Sequence, residues 1–328
     1  MLVAAALLTV GAYSSRADAQ GAVASSPTKL ARMADKLKPG QWVWAPEIAP
    51  SGPVLVYVDL SRQRAAVYRN GVRIGVATVS SGKPGHATPT GVFTILQKDA
   101  NHRSSIYNNA PMPFQELLTW DGVALHAGGL PGYPESHGCV HLPYGFSRAL
   151  FGITTLGATV VIAGDAISHV RTSDSSLLAP YDALGRPAPT APLGPQQYAW
   201  TPDRAPAGPL TIMVSKSEQR VVVLRAGVEI GRSVAEVNDD DPGSHVIQLA
   251  ANPDGTARWT YVGLPGHEAE EGKTLDEAVI NRLKLPRQFY EQVKAALQPG
   301  TTILITQSPV GRSSGEPLTI LDAVTPSP

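Results

Sequence analysis

"WAPEIAPSGPVLVYVDLSRQRAAVYRNGVRIG", Trp44 to Gly75, returns 156 positions later as "WTPDRAPAGPLTIMVSKSEQRVVVLRAGVEIG", Trp200 to Gly231. Sixteen of the 32 ungapped pairs are identical, among them Trp44/Trp200, Pro50/Pro206, Gln63/Gln219, Arg64/Arg220 and Gly71/Gly227. Identity of that density marks an internal duplication, and 328 residues give length for about two domains. Each copy runs from a proline-rich lead-in into an alternating strand ("VLVYVDL") and a hairpin. In the first copy "RAAVY" is answered by "VRIGVATVS" across Asn70-Gly71, the strongest short turn signal. The second uses "RVVVL", "RAG" and "VEIG" in the same order.

The far ends of the copies match at a shift of 143. "LPYGFSRALFGITTLGATVVI" (Leu142 to Ile162) lies over "LPRQFYEQVKAALQPGTTILI" (Leu285 to Ile305), pairing Phe146 with Phe289 and Gly157 with Gly300. Apolar residues at helical spacing, a glycine and a β-branched run predict a short helix leading into a strand. Carried back, this register sets Arg282 opposite Cys139, Asn281 opposite Gly138 and Ile280 opposite His137.

The expected fold class is mainly β: two tandem sandwich-type units, with a short helix after Cys139. The expected divisions are a signal peptide (1–19), a lead-in (20–53), a first unit (54–164), a Pro/Ala/Ser-rich linker (165–197), a second unit (198–309) and a tail (310–328). The signal rests on the short apolar run Leu2 to Ala12 and the small residues Ala17-Asp18-Ala19, although no basic residue precedes the run. Export to the periplasm or cell envelope follows. Lys plus Arg and Asp plus Glu both total 27, so a charge-read nucleic acid is not an expected partner. No later stretch has the length and apolarity of a membrane helix, so no span is expected in the mature protein.

Cys139 is the only cysteine, so it forms no bridge within the chain. It lies in "ESHGCVHLP" (Glu135 to Pro143), flanked by His137 and His141, with His126 upstream in "ALHAGG". A thiol serves as a nucleophile when an imidazole or a positive dipole lowers its pKa and a base is oriented beside it. His126 is the candidate base, and the helix predicted after Pro143 is a candidate dipole. Gly138 leaves the backbone free to turn N–H groups toward an oxyanion. Three rival readings stand beside this one. His126, His137, Cys139 and His141 are enough ligands for zinc, but no acidic residue or second cysteine completes the usual spacing. His126 fits equally a core histidine at a strand end, and His137 and His141 fit a role in orienting the turn. An inert core thiol fits less well, because its counterpart is Arg282 rather than a small apolar residue.

"HAGG…SHGCVHLP" together with "GKPGHATPTGVF" (Gly82 to Phe93) resembles the L,D-transpeptidase catalytic domain, or YkuD domain, over about residues 54 to 164. The second copy resembles it in scaffold alone and reads as degenerate. The resemblance implies a mostly β transferase of peptidoglycan biosynthesis, an acyltransferase active in cell wall biogenesis and cell shape. Its partners would be peptidoglycan stem peptides, it would need no cofactor and no metal, and its thiol would accept carbapenems. It implies Cys139 as nucleophile and His126 as general base, oriented by a carbonyl or hydroxyl. Ser136, His137 and Gly138 would support the turn and oxyanion. His141 stands where many members have Arg or Asn, which bears on how substrate carboxylates are held. The long polar segment from Gln97 to Gly122 reads as a lid. Its Tyr107, Met112, Phe114 and Trp120 either line a peptide groove or, for Met112 and Phe114, pack the loop down. An L,D-carboxypeptidase or amidase and a non-catalytic wall-binding protein are the alternative functions.

Overall fold

A computed structural model describes residues 21–164, 198–241, 243–263, 267–276, 279, 282–307 and 310. The predicted signal, the linker, the tail beyond 310 and the counterpart positions Ile280 and Asn281 lie outside the described residues. The stretch predicted as a lead-in carries structure of its own: β1 (Ala22–Val23), α1 (Pro27–Ala34) and β2 (Trp42–Trp44). Pro27 opens α1, where its missing N–H costs nothing, and the Ser26 hydroxyl accepts from Lys29 N–H at 3.2 Å. β2 then joins the main sheet beside β5.

The main sheet continues with β3 (Val54–Asp59), β4 (Arg64–Arg69), β5 (Val72–Thr78) and β6 (Gly91–Thr94). Asn70 and Gly71 have φ of 52° and 76°, the positive pair that a two-residue hairpin turn requires. A second sheet holds β7 (Gln97–Asp99), β8 (Gln115–Leu117), β9 (Ala124–Ala127) and β10 (Val140–Leu142), in the order β10-β9-β8-β7. α2 (Tyr144–Phe151) and β11 (Thr159–Ala163) close the unit, and β11 enters the main sheet to give β1-β2-β5-β4-β3-β11-β6.

The second unit repeats the core of the main sheet and the helix that follows, but among the described residues a two-stranded sheet stands where the first unit has four strands. It comprises β12 (Tyr198–Trp200), β13 (Leu210–Ser215), β14 (Arg220–Arg225), β15 (Val228–Val234), β16 (Glu236–Val237), β17 (His245–Ala251), β18 (Ala257–Val262), β19 (Leu283–Lys284), α3 (Arg287–Ala296) and β20 (Thr302–Thr306). Its main sheet runs β12-β15-β14-β13-β20-β17-β18. β11 is parallel to β3 and antiparallel to β6; β20 is parallel to β13 and antiparallel to β17. Trp44 meets Phe146 edge-on at 5.2 Å, and Trp200 meets Phe289 the same way at 5.8 Å. Both pairings in the sequence repeat are therefore contacts of one architecture. The protein is mainly β, built as two such units.

The strand "VLVYVDL" departs from its predicted one-face alternation, because both faces of the sheet are covered. Val56 and Val58 point into the core shared with the second sheet and α2. Leu55 and Tyr57 point the other way, into a cluster with Met213, Val222, Leu224 and Leu304 of the second unit. The two large sheets thus pack face to face, and β3 reads as a nearly continuous apolar run for that reason.

Candidate active site

The parallel pairing of β9 with β10 sets His126 beside His141 and Ala127 beside Leu142. Side chains alternate along a strand, so continuing the register one step places Cys139 level with Ala124, on the face that carries both histidines. The Ala124 backbone N–H hydrogen-bonds the thiol, and the thiol donates to the Gly122 carbonyl at 3.3 Å. Cys139 and His126 are thus diagonal neighbours on the floor of one cleft of about 670 Å³. That volume suits a small ligand or a peptide stem.

His126 is buried, and its Nδ1 donates to the Ala127 carbonyl at 2.9 Å. A carbonyl only accepts, so the ring proton sits on Nδ1 and Nε2 keeps its lone pair. Burial first, and then the nearby His141, push the His126 pKa down to about 4, leaving a neutral imidazole at neutral pH. The His126 and His141 rings meet edge-on at 4.8 Å. His141 in turn donates from Nδ1 to the Gly129 carbonyl at 3.2 Å, and its backbone bridges to Ser80. These contacts tie β10 to Gly129 and Ser80, and the His141 ring also lines the cleft.

The surroundings of the thiol favour its neutral form. Burial pushes the Cys139 pKa up to about 11, and the Ala124 N–H only partly offsets this. α2 starts at Tyr144, with all of β10 between it and Cys139, so its dipole does not reach the sulfur strongly enough to reverse the effect.

The turn before Cys139 is tightly tied. Ser136 Oγ donates to the Cys139 carbonyl at 2.5 Å and accepts from Gly138 N–H at 3.2 Å. Gly138 has φ of +112°, a region closed to residues with a Cβ. Thr88 Oγ1 donates to the Gly138 carbonyl and accepts from Gly82 N–H, at 3.0 and 2.8 Å, so the loop "GKPGHATPT" braces the turn from behind. His137 is exposed, with Nε2 3.0 Å from Lys83 Nζ and its ring stacked on Tyr107 at 4.6 Å.

Of the predicted groove residues, Tyr107 and Met112 line the cleft, and Met112 is also buried against Leu117 and Ala124 beside Cys139. Phe114 and Trp120 do not line it. Phe114 packs on Tyr144 and Phe151, at 5.2 and 5.8 Å between ring centres, and Trp120 is 54% exposed. Two further lining residues were not singled out from the sequence. Gln115 is buried with Oε1 lacking a protein partner, and His86 likewise has an unpartnered Nδ1. Each offers an acceptor or donor that a ligand in the cleft would satisfy. Among the described residues no helix is long and apolar enough to cross a membrane.

In the second unit, β19 pairs with β16 where β10 bridges to Ser80, so Arg282 occupies the place of Cys139. Arg282 pairs with Asp239 at 3.1 Å and is half exposed.

Residues 53–162 match the family described as YkuD, L,D-transpeptidase catalytic domain. Solved structures similar to the chain include an L,D-transpeptidase from Stackebrandtia nassauensis, at 30% identity and TM-score 0.33, covering 36% of this chain and 58% of that one. Another, from Mycobacterium smegmatis, is 22% identical with TM-score 0.33, covering 34% of this chain and 58% of that one. The chain thus spans less than two thirds of the structures it matches. A search of curated proteins returned no match. By its sequence motifs and the family match, the segment 53–162 is an L,D-transpeptidase catalytic domain of the YkuD family.

Proposed function

We propose that the protein is an exported L,D-transpeptidase of the cell envelope that acts on peptidoglycan tetrapeptide stems. In this reading Cys139 is the nucleophile and His126 the general base. The observation that carries it is the shared face of β9 and β10, where a half-buried thiol lies diagonal to an imidazole whose Nδ1 is locked on Ala127 and whose Nε2 is free to accept a proton.

The thiol and imidazole are both neutral at rest, so the proton leaves sulfur as the new bond forms rather than before. Nε2 of His126 takes it while Sγ attacks the amide carbonyl of the third stem residue. Backbone N–H groups around Gly138 and Cys139 meet the oxyanion, the Gly138 N–H giving up its long bond to Ser136. His126 then protonates the departing D-alanine amine, leaving a thioester on Cys139. An amine from a second stem resolves the thioester and forms the cross-link.

The unit that follows reads as a degenerate copy, keeping scaffold without nucleophile, with boundaries near 54–164 and 198–309. The test incubates the protein with purified tetrapeptide and follows the muropeptides. Cross-linked dimers that vanish in Cys139→Ala support transfer. Tripeptide alone points to a hydrolase on the same scaffold, and unchanged products from Cys139→Ala overturn the assignment of the thiol.

A further inference from the structure

The second unit has no thiol, yet it gathers imidazoles and carboxylates at the corner of the fold where the first unit's cleft opens. His245 heads β17 and pairs with Ile305. In the first unit the matching position is Gly91, paired with Ile162 directly after the loop that braces Cys139. His245 and Glu270 approach to 2.9 Å between Nδ1 and Oε2, and His267 Nδ1 lies 3.5 Å from the other oxygen of the same carboxylate. One donor atom from each of these three residues lies within 4.8 Å of the other two.

We propose that His245, His267 and Glu270 form a binding site for a divalent transition-metal ion of the zinc class. Three features of the geometry carry this. First, ligand atoms in a tetrahedral zinc site stand about 3.3 Å apart, which is 1.63 times a bond of about 2.05 Å. The nitrogen to oxygen separations of 2.9 and 3.5 Å, which run to the two different oxygens of the Glu270 carboxylate, are near that figure, and the three donor atoms, within 4.8 Å of one another, would close toward it around an ion. Second, the far nitrogen of His245 is already oriented as a metal ligand's is: Nε2 lies 3.2 Å from Asp241 Oδ2. A carboxylate there holds the Nε2–H tautomer and aims the Nδ1 lone pair at the site. Third, Asp241 is itself held, its Oδ1 accepting from Gly243 N–H at 2.7 Å and its carbonyl from the buried Lys216 ammonium at 2.5 Å. Two imidazoles and one carboxylate favour zinc or cobalt over the hard cations magnesium and calcium, which prefer all-oxygen shells.

Such an ion has a structural consequence between the units. It ties β17 to the segment around Glu270, and the next residue, Glu271, pairs with Arg73 of the first unit at 3.0 Å. Tyr68 of the first unit also donates to the Gly263 carbonyl near the start of that segment.

The test uses full-length protein stripped by chelator and dialysed. Titration with zinc chloride should show one high-affinity ion per chain and raise Tm by a few degrees. Cobalt chloride should give visible bands of four-coordinate intensity. Glu270→Gln, nearly isosteric, and His267→Ala should each weaken zinc affinity at least tenfold and abolish the cobalt bands, with far-UV circular dichroism showing that both remain folded. Cys139→Ala should bind as the parent does, which separates this site from the thiol and histidines of the first unit. No saturable binding by the parent at tens of micromolar zinc, or binding unchanged in Glu270→Gln, overturns the proposal. So does loss of the ion in Cys139→Ala. If His267→Ala unfolds, the parent cobalt spectrum together with Glu270→Gln decides the matter.

Discussion

Alkylation of Cys139 tests whether the thiol is held protonated until a substrate arrives. Burial raises its pKa to about 11, against about 8.5 for a free thiol. At pH 7.5 a free thiol is about 9% thiolate and the buried one about 0.03%, a difference of roughly 300-fold in the reactive form. Iodoacetamide needs the thiolate but no acceptor geometry, so the rate constant should fall below that of glutathione by about that factor. Followed by intact mass from pH 6.5 to 10.5, the logarithm of the rate should climb with near-unit slope and show no plateau below about pH 10. His126 is neutral across this range, since its pKa is near 4, and so holds no charge that favours thiolate. His126→Ala should leave alkylation within about threefold of the parent, yet lower acyl transfer by about 10²–10⁴, the range of general-base catalysis. A plateau near pH 7, or a rate at pH 7.5 within tenfold of glutathione, would refute the buried-thiol reasoning and restore a preformed thiolate–imidazolium pair.

The remaining predictions concern the scaffold. His126, lowered to about 4, binds fewer protons folded than unfolded between pH 4 and 6.5, so its term is lost as pH falls and amounts to about 3 kcal/mol. Glu116, raised to about 7 by burial despite Thr154 and Lys98, works the opposite way, its term being present at low pH and lost as pH rises through 7. His137 and His141, also lowered by burial, add to the loss on the acid side, so urea midpoints should fall from pH 7 to 4 in the parent and fall more steeply in Glu116→Gln; an equal slope in the two would break this account. Arg282→Ala should leave turnover within a few-fold of the parent and stability within about 1 kcal/mol, because its ion pair with Asp239 is half exposed; a loss as deep as that of Cys139→Ala would contradict the degenerate-copy reading. Residues 21–164 expressed alone would uncover Leu55, Tyr57, Tyr68, Val92 and Val161. At about 1.5–3 kcal/mol each this is on the order of 10 kcal/mol, comparable with the whole stability of a domain. That fragment should aggregate, and a soluble monomer with dispersed amide resonances would show the interface to be dispensable.

What was legible in the chain is what local chemistry decides. Asn70-Gly71 specifies its own turn, and the spacing of Phe146 and Leu150 specifies the buried stripe of α2, so both appear where the residues predict them. The pairing of His126 with Cys139 was legible as residue types, but their register on β9 and β10 is a long-range fact. The thiol pKa was not legible, because it depends on what surrounds the sulfur rather than on neighbours in sequence. β1, α1 and β2 were hidden by prolines that read as a lead-in, although Pro27 starts a helix instead of breaking one. Gln115 was missed because a glutamine in a three-residue strand has no pattern; only its unpartnered oxygen in the cleft reveals it.

The duplication explains which features of the second unit are retained. The two units meet reciprocally, as the halves of an isologous dimer do: Gly157 lies against Pro209 and its counterpart Gly300 against Pro53. The hairpin tip of each also reaches the sheet of the other, Gly71 against Thr260 and Gly227 against Thr94. The reciprocity is not complete, and Asn70 shows one break. Asn70 exchanges two hydrogen bonds with the backbone of Ala251, at 2.9 and 2.7 Å, in the manner of a neighbouring strand. Its counterpart Ala226 has no amide with which to do this. The cleft, by contrast, lies on the far side of the first unit's core, built on the sheet of β7 to β10 that does not enter the interface cluster. An arginine at the position of the thiol therefore leaves the shared apolar face untouched, whereas a polar residue at Met213, Val222 or Leu224 would open the apolar cluster between the units. The cleft and the shared apolar face thus lie on opposite sides of the first unit's main sheet, so the position of Cys139 can carry Arg282 in the second unit while Trp200 and Phe289 keep the contact that Trp44 and Phe146 make.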